Sequence, residues 1–186
     1  MEALSAQGFR CVAVDQRGYG QSSAPKDKTN YTMAKLCGDL KALCDHLQIT
    51  KAIFCGHDWG GLIVWQMPLR FEDLCAGVIS LNTPYTKRAP VEPIALYRKR
   101  FGEAFYIVWF QEENDPEAVL GADTTKTLTY FAQRPPVPGD TGPDTRQGSS
   151  LRDTILSFDA TQARPLVMDQ DAFTYYVEAF EKSGFT

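Results

Sequence analysis

Residues 54–65 read FCGHDWGGLIVW, and the order of residue types in them governs how the rest of the chain is read. The apolar run Ala52, Ile53, Phe54, Cys55 stops at Gly56; Asp58 follows, then Gly60 and Gly61, then a segment with the apolar content of a helix. Gly56-His57-Asp58-Trp59-Gly60 has the form G-x-nucleophile-x-G, a sharp strand-to-helix turn that lifts its central side chain above a sheet. The flanking glycines let the backbone fold tightly without Cβ clashes, and the N-terminus of the following helix favours negative charge. Aspartate in place of serine changes the chemistry. A carboxylate is ionised near neutral pH without help from a base. It is a poor nucleophile toward amides but adequate for displacement at an sp³ carbon with a good or strained leaving group. The product is an alkyl ester on the protein, which an activated water must hydrolyse. Epoxides and alkyl halides suit that sequence of steps.

Outward from the turn, RCVAVD (10–15) and KAIFCG (51–56) read as short buried strands, and AGVISLNTP (76–84) as a third strand ending in a loop. Between them, QRGYGQSSAP (16–25) is turn chemistry. Met33, Leu36, Leu40, Leu43 and Leu47 recur at helical spacing over 32–47. Residues 60–71 read as a helix that Pro68 should bend or end early. Strand, helix, strand, helix, strand is the pattern of a parallel sheet with helices on its faces, hence an α/β fold. Beyond residue 86 the strand signals stop. Residues 87–134 carry aromatic-rich, helix-like segments, 134–150 form a Pro/Gly/Ser-rich loop, and 169–183 place Phe173, Tyr176, Val177 and Phe180 on one helical face. The expected organisation is therefore an α/β part over 1–86 and a mostly helical part over 87–186.

Composition bounds the partners. Of 186 residues, 44% are hydrophobic and 23% charged, and 19 basic against 23 acidic residues give a net charge of −4. That balance argues against a nucleic-acid surface, and no apolar stretch approaches the roughly 18 residues of a membrane span. The start, MEALSAQGFR, lacks the features of a secretion signal. Five widely spaced cysteines with no CxxC pair read as reduced thiols in a cytoplasmic protein. Cys44-Asp45-His46 is not a metal cluster, because neighbours on a helix point in different directions. No metal or cofactor is expected.

Taken together, FCGHDWGGLIVW, VDQRGYGQSSAP (14–25), SLNTPY (80–85) and FYIVWFQE (105–112) resemble the epoxide hydrolases of the α/β-hydrolase superfamily, from the first residues to EKSGF (181–185). The resemblance implies a partial α/β-hydrolase core over 1–86 and a helical cap, or lid, over 87–186. It implies Asp58 as nucleophile, with the Trp59 N–H as an oxyanion donor and its side chain walling the pocket. Tyr106 matches a lid tyrosine that hydrogen-bonds the epoxide oxygen; a phenol can bind and protonate the alkoxide that ring opening produces. The implied substrate is a small apolar epoxide, opened to a vicinal diol. Asp15, Arg17 and His57 are read as structural. The family's HGxP segment, second lid tyrosine, charge-relay acid and water-activating histidine have no counterpart here. His46 and His57 are the chain's two histidines, so the sequence is expected to be part of a longer catalytic unit. Two alternatives stand beside this reading: a haloalkane dehalogenase-like hydrolase, with Trp109 as a candidate halide ligand, and a non-catalytic binding protein.

Overall fold

The computed structural model describes residues 1–87, 90–137 and 150–185. The chain divides into two compact units, Met1–Arg88 and Ala89–Thr186. In the first, a short helix α1 (Glu2–Ser5) precedes α2 (Met33–His46), β1 (Ala52–His57), α3 (Trp59–Arg70) and β2 (Cys75–Leu81). β1 and β2 pair in parallel, with Ile53 opposite Gly77 and His57 opposite Leu81. A parallel pair requires a crossover, and α3 supplies it.

Side-chain alternation splits the sheet into two faces. Phe54 is buried with Cys37 and Cys44 of α2 and with Ile63, Val64 and Met67 of α3; Val78 packs against the same cluster. Ile53, Cys55, Ile79 and Leu81 point the other way and are exposed. Thr32 caps α2 by accepting a hydrogen bond from the Lys35 N–H at 3.4 Å. α3 continues through Pro68 and ends at Arg70. Pro68 removes the bond to the Val64 carbonyl and crowds it, but only two residues of the helix follow, so the disturbance falls in its last turn and the helix ends shortly after.

The expected strand over 10–15 is not formed. These residues carry no ladder pairing, and Val12 and Val14 are exposed. Their apolar, β-branched character favours an extended chain, but a strand also needs a neighbour for its N–H and C=O groups. Among the described residues the sheet consists of β1 and β2, and no segment lies in pairing register with residues 10–15. The turn that follows is held by polar bonds, as its composition suggested. Asp15 accepts from the Gln21 N–H at 3.1 Å, and Arg17 makes a two-pronged pair with Asp39 at 2.9 and 2.6 Å. The Asp39 carboxylate, as hydrogen-bond acceptor, raises the Arg17 guanidinium above its ordinary pKa.

The second unit is mostly helical over its described residues, with α4 (Pro93–Phe101), α5 (Tyr106–Trp109), α6 (Asp115–Gly121), α7 (Thr124–Ala132), α8 (Leu151–Ser157) and α9 (Gln170–Ser183), and one isolated antiparallel bridge between Gln133 and Leu166. The starts of α4, α7, α8 and α9 are capped by side chains that satisfy orphan N–H groups. Glu92 accepts from Ile94 and Ala95 at 2.9 and 2.6 Å, and Asp169 accepts from Ala172 at 2.8 Å. On α9, Phe173 is buried against Leu128 and Ala132 of α7, with Val177 and Phe180 beside them, while Tyr176 is exposed. A second cluster joins Trp109, Leu120 and Ile155. Of the expected loop over 134–150, residues 138–149 lie outside the described residues.

Candidate active site at the strand–helix turn

Asp58 sits between β1 and α3 with φ 52° and ψ −117°. That region is sparsely populated for any residue with a Cβ and survives only where surrounding contacts impose it. Three sets of contacts do so. Gly56 passes so close to the start of α3 that an added Cβ would collide with the Gly60 carbonyl. Gly61 meets the end of β2 and the loop after it, where an added Cβ would lie 2.8 Å from Ser80 Oγ and 2.6 Å from Thr83 Cβ. The Asp58 carbonyl accepts two hydrogen bonds, from the Leu62 N–H at 3.1 Å and from the Thr83 hydroxyl at 3.1 Å.

The Asp58 carboxylate is exposed, and its Oδ2 accepts the Trp59 N–H at 2.7 Å. The expected oxyanion donor therefore already holds one carboxylate oxygen and orients Oδ1 away from it. The Trp59 side chain is 60% exposed. His57, the last residue of β1, has its Nε2 3.4 Å from Asn82 Nδ2. Asn82 holds a left-handed φ of 58°, which its short polar side chain tolerates. Next to it, the Thr83 carbonyl accepts from the Trp65 indole N–H at 2.8 Å, and Trp65 meets Tyr85 edge-on at 5.5 Å. Sequence reasoning used SLNTPY only as a point of resemblance and missed Thr83. Its signal was a hydroxyl residue following a strand that adjoins a turn rich in glycine.

Tyr106 belongs to the second unit, at the first residue of α5 and 43% exposed. It lies in a run of rings, 4.9 Å from Phe105 and 5.7 Å from Phe110 between centroids. Phe105 in turn touches Phe101 and Tyr97. Trp109, by contrast, is 3% exposed, and its indole N–H donates to Asp115 Oδ2 at 2.6 Å. Arg152 bonds the same carboxylate at 2.9 and 3.3 Å. The hydrogen bond from Arg152, then that from Trp109, hold the Asp115 carboxyl below the usual carboxylate range. Among the described residues there is no group of three or more His, Cys, Asp or Glu able to hold a metal ion. Nor is any helix among them long and apolar enough to cross a membrane.

The sequence profile of the alpha/beta hydrolase fold matches residues 1–142, and the chain belongs to that family. Over 186 residues it is 35% identical to Epoxide hydrolase A of Mycobacterium tuberculosis, covering 99% of this chain and 58% of that protein. It is 33% identical to Bifunctional epoxide hydrolase 2 of Sus scrofa, covering 98% of this chain and 32% of the relative. The crystal structure of an epoxide hydrolase from Vigna radiata superposes with a TM-score of 0.82 at 31% identity, covering 100% of this chain and 57% of the other. An epoxide hydrolase from an endophytic Streptomyces gives 0.83 at 28% identity, with 98% and 56% covered. The chain thus spans about a third to three-fifths of the length of these relatives.

Proposed function

We propose that this chain carries the nucleophile of an epoxide hydrolase, which opens a small apolar epoxide to a vicinal diol through an ester on Asp58. The observation that carries the reading is the backbone of Asp58, held at φ 52° and ψ −117° between strand and helix with its carboxylate exposed. Oδ1 attacks a ring carbon and breaks its C–O bond; the alkoxide takes the phenolic proton of Tyr106. Water then attacks the acyl carbon, one of its protons returning through solvent to the Tyr106 phenolate, and the charge passes to Oδ2 beneath the Trp59 N–H, which is already in place at 2.7 Å. Collapse breaks the ester C–O bond; the departing alkoxide takes the second proton of that water, which restores the carboxylate and releases the diol. In this reading residues 87–186 form the lid. Similarity to proteins named epoxide hydrolases over nearly the whole chain supports it. The buried, Asp115-bonded Trp109 indole weighs against a halide ligand there, and so against the dehalogenase alternative.

Neither His46, at the end of α2, nor His57, against Asn82, is assigned to water activation. The 186-residue chain is therefore expected to accumulate the ester, since loss of a general base slows a step by about 10²–10⁴-fold. Incubation with styrene oxide should give one adduct by intact-mass spectrometry, mapped to Asp58, absent in Asp58→Asn and formed about 10²-fold more slowly in Tyr106→Phe. An adduct that persists in Asp58→Asn would overturn the nucleophile assignment. Diol release over many equivalents would overturn the assignment of the water step, and chloride release from a chloroalkane would favour the dehalogenase.

A further inference from the structure

We propose that Thr83 is a positioning residue for Asp58: its hydroxyl, donated to the Asp58 carbonyl, locks the strained turn in its attacking conformation. The inference rests on the nucleophile reading and adds a residue that acts through Asp58. The geometry is specific. Thr83 lies 25 residues from Asp58, and its Oγ1 is 3.1 Å from the Asp58 carbonyl; the alternative acceptor, the Leu81 carbonyl, is farther at 3.4 Å. Its Cβ fills the space that a side chain at Gly61 would need. The Thr83 backbone is itself pinned, since its carbonyl accepts from Trp65 Nε1 at 2.8 Å and from Ser80 Oγ at 2.5 Å. Two anchors at the carbonyl and a hydroxyl at the side chain make the loop after β2 a latch on the turn. A latch is needed because the Asp58 backbone relaxes to an ordinary conformation, and its carboxylate swings, unless neighbours prevent it.

The experiment compares Thr83→Val, which keeps the shape and removes the donor, with Thr83→Ser, which restores the donor. Two readouts are taken on the 186-residue chain: amide hydrogen exchange, and the rate of adduct formation with styrene oxide. In Thr83→Val the Trp59, Gly60 and Gly61 amides should exchange roughly 3- to 10-fold faster, the worth of one hydrogen bond, while α2 amides keep their protection. The adduct rate should fall by a similar factor, and Thr83→Ser should recover most of both. Unchanged exchange at the turn, or faster exchange with an unchanged adduct rate, overturns the proposal. If the wild-type chain forms no adduct, the nucleophile reading has failed, and the exchange data alone decide the latch. If Thr83→Val loses α2 protection, Trp65→Phe carries the test, because it removes one of the two anchors of the Thr83 carbonyl and should loosen the same amides in the same direction.

Discussion

At the scale of single residues, the turn depends on positions where a Cβ has no room. Gly56→Ala forces a side chain against the Gly60 backbone, which cannot yield without moving α3. It should destabilise the first unit by about 1–3 kcal/mol, read as a lower urea midpoint in tryptophan fluorescence in a Trp109→Phe background, where the remaining tryptophans, Trp59 and Trp65, both lie in that unit. An unchanged midpoint would mean that the strand end is not packed on the helix start as described. The cysteines give a second residue-scale test. All five are free thiols, with Cys37 and Cys44 buried and Cys55 exposed. Burial pushes the thiols of Cys37 and Cys44 above the ordinary range, so less of each is thiolate at a given pH. Under native conditions a maleimide should label Cys55 first and Cys37 and Cys44 last, as peptide mapping would show. Rapid labelling of Cys37 would contradict its place in the core.

At the scale of elements, the helices of the second unit are set by caps and by one charged junction. Asp169→Ala removes the acceptor for the Ala172 N–H and should cost about 1 kcal/mol of stability, measured as a lower melting temperature. The Asp115–Arg152–Trp109 junction ties α5, α6 and α8 together and carries a pH dependence. The Asp115 carboxyl is held below its unfolded value, so its contribution to stability is present above the unfolded carboxylate range. That contribution fades as pH falls through the lower folded value. Asp115→Asn should therefore lower the melting temperature at pH 7, and the gap to the unaltered chain should close as the pH is brought into the acid range. A gap that stays constant with pH would show that the junction acts by packing rather than by charge.

At the scale of the whole molecule, one face of the β1–β2 sheet packs on a buried cluster and the other is exposed among the described residues. Ile53, Cys55, Ile79 and Leu81 form an exposed apolar surface, and Val12 and Val14 of the neighbouring sequence are exposed as well. Such surfaces promote association. The apparent mass of the purified chain by light scattering should rise with concentration, and Ile79→Lys should reduce that rise without changing the rate of adduct formation at Asp58. Equal scattering by the variant would place the sticky surface elsewhere.

Much of the first unit, and the last helix of the second, was legible in the sequence because the signals are local. Apolar spacing marked α2 and α9, short apolar runs marked β1 and β2, and Gly56, Asp58 and Gly60 marked the turn between strand and helix. Each follows from the stereochemistry of a few neighbouring residues. Tertiary structure alone decided the rest. Residues 10–15 have strand composition, yet pairing depends on what lies alongside, and a run of six residues cannot specify that. Trp109 was a candidate ligand by sequence, but its indole is buried and bonded to Asp115, which Arg152, 37 residues further on, also holds. The Thr83 hydroxyl reaches the Asp58 carbonyl across 25 residues because parallel pairing of β1 and β2 sets the ends of both strands side by side. The turn and the Gly56 and Leu62 contacts beside it could be read from neighbouring residues, but the Thr83 hydroxyl that bonds the Asp58 carbonyl comes from a distant loop, and only the folded chain brings the two together.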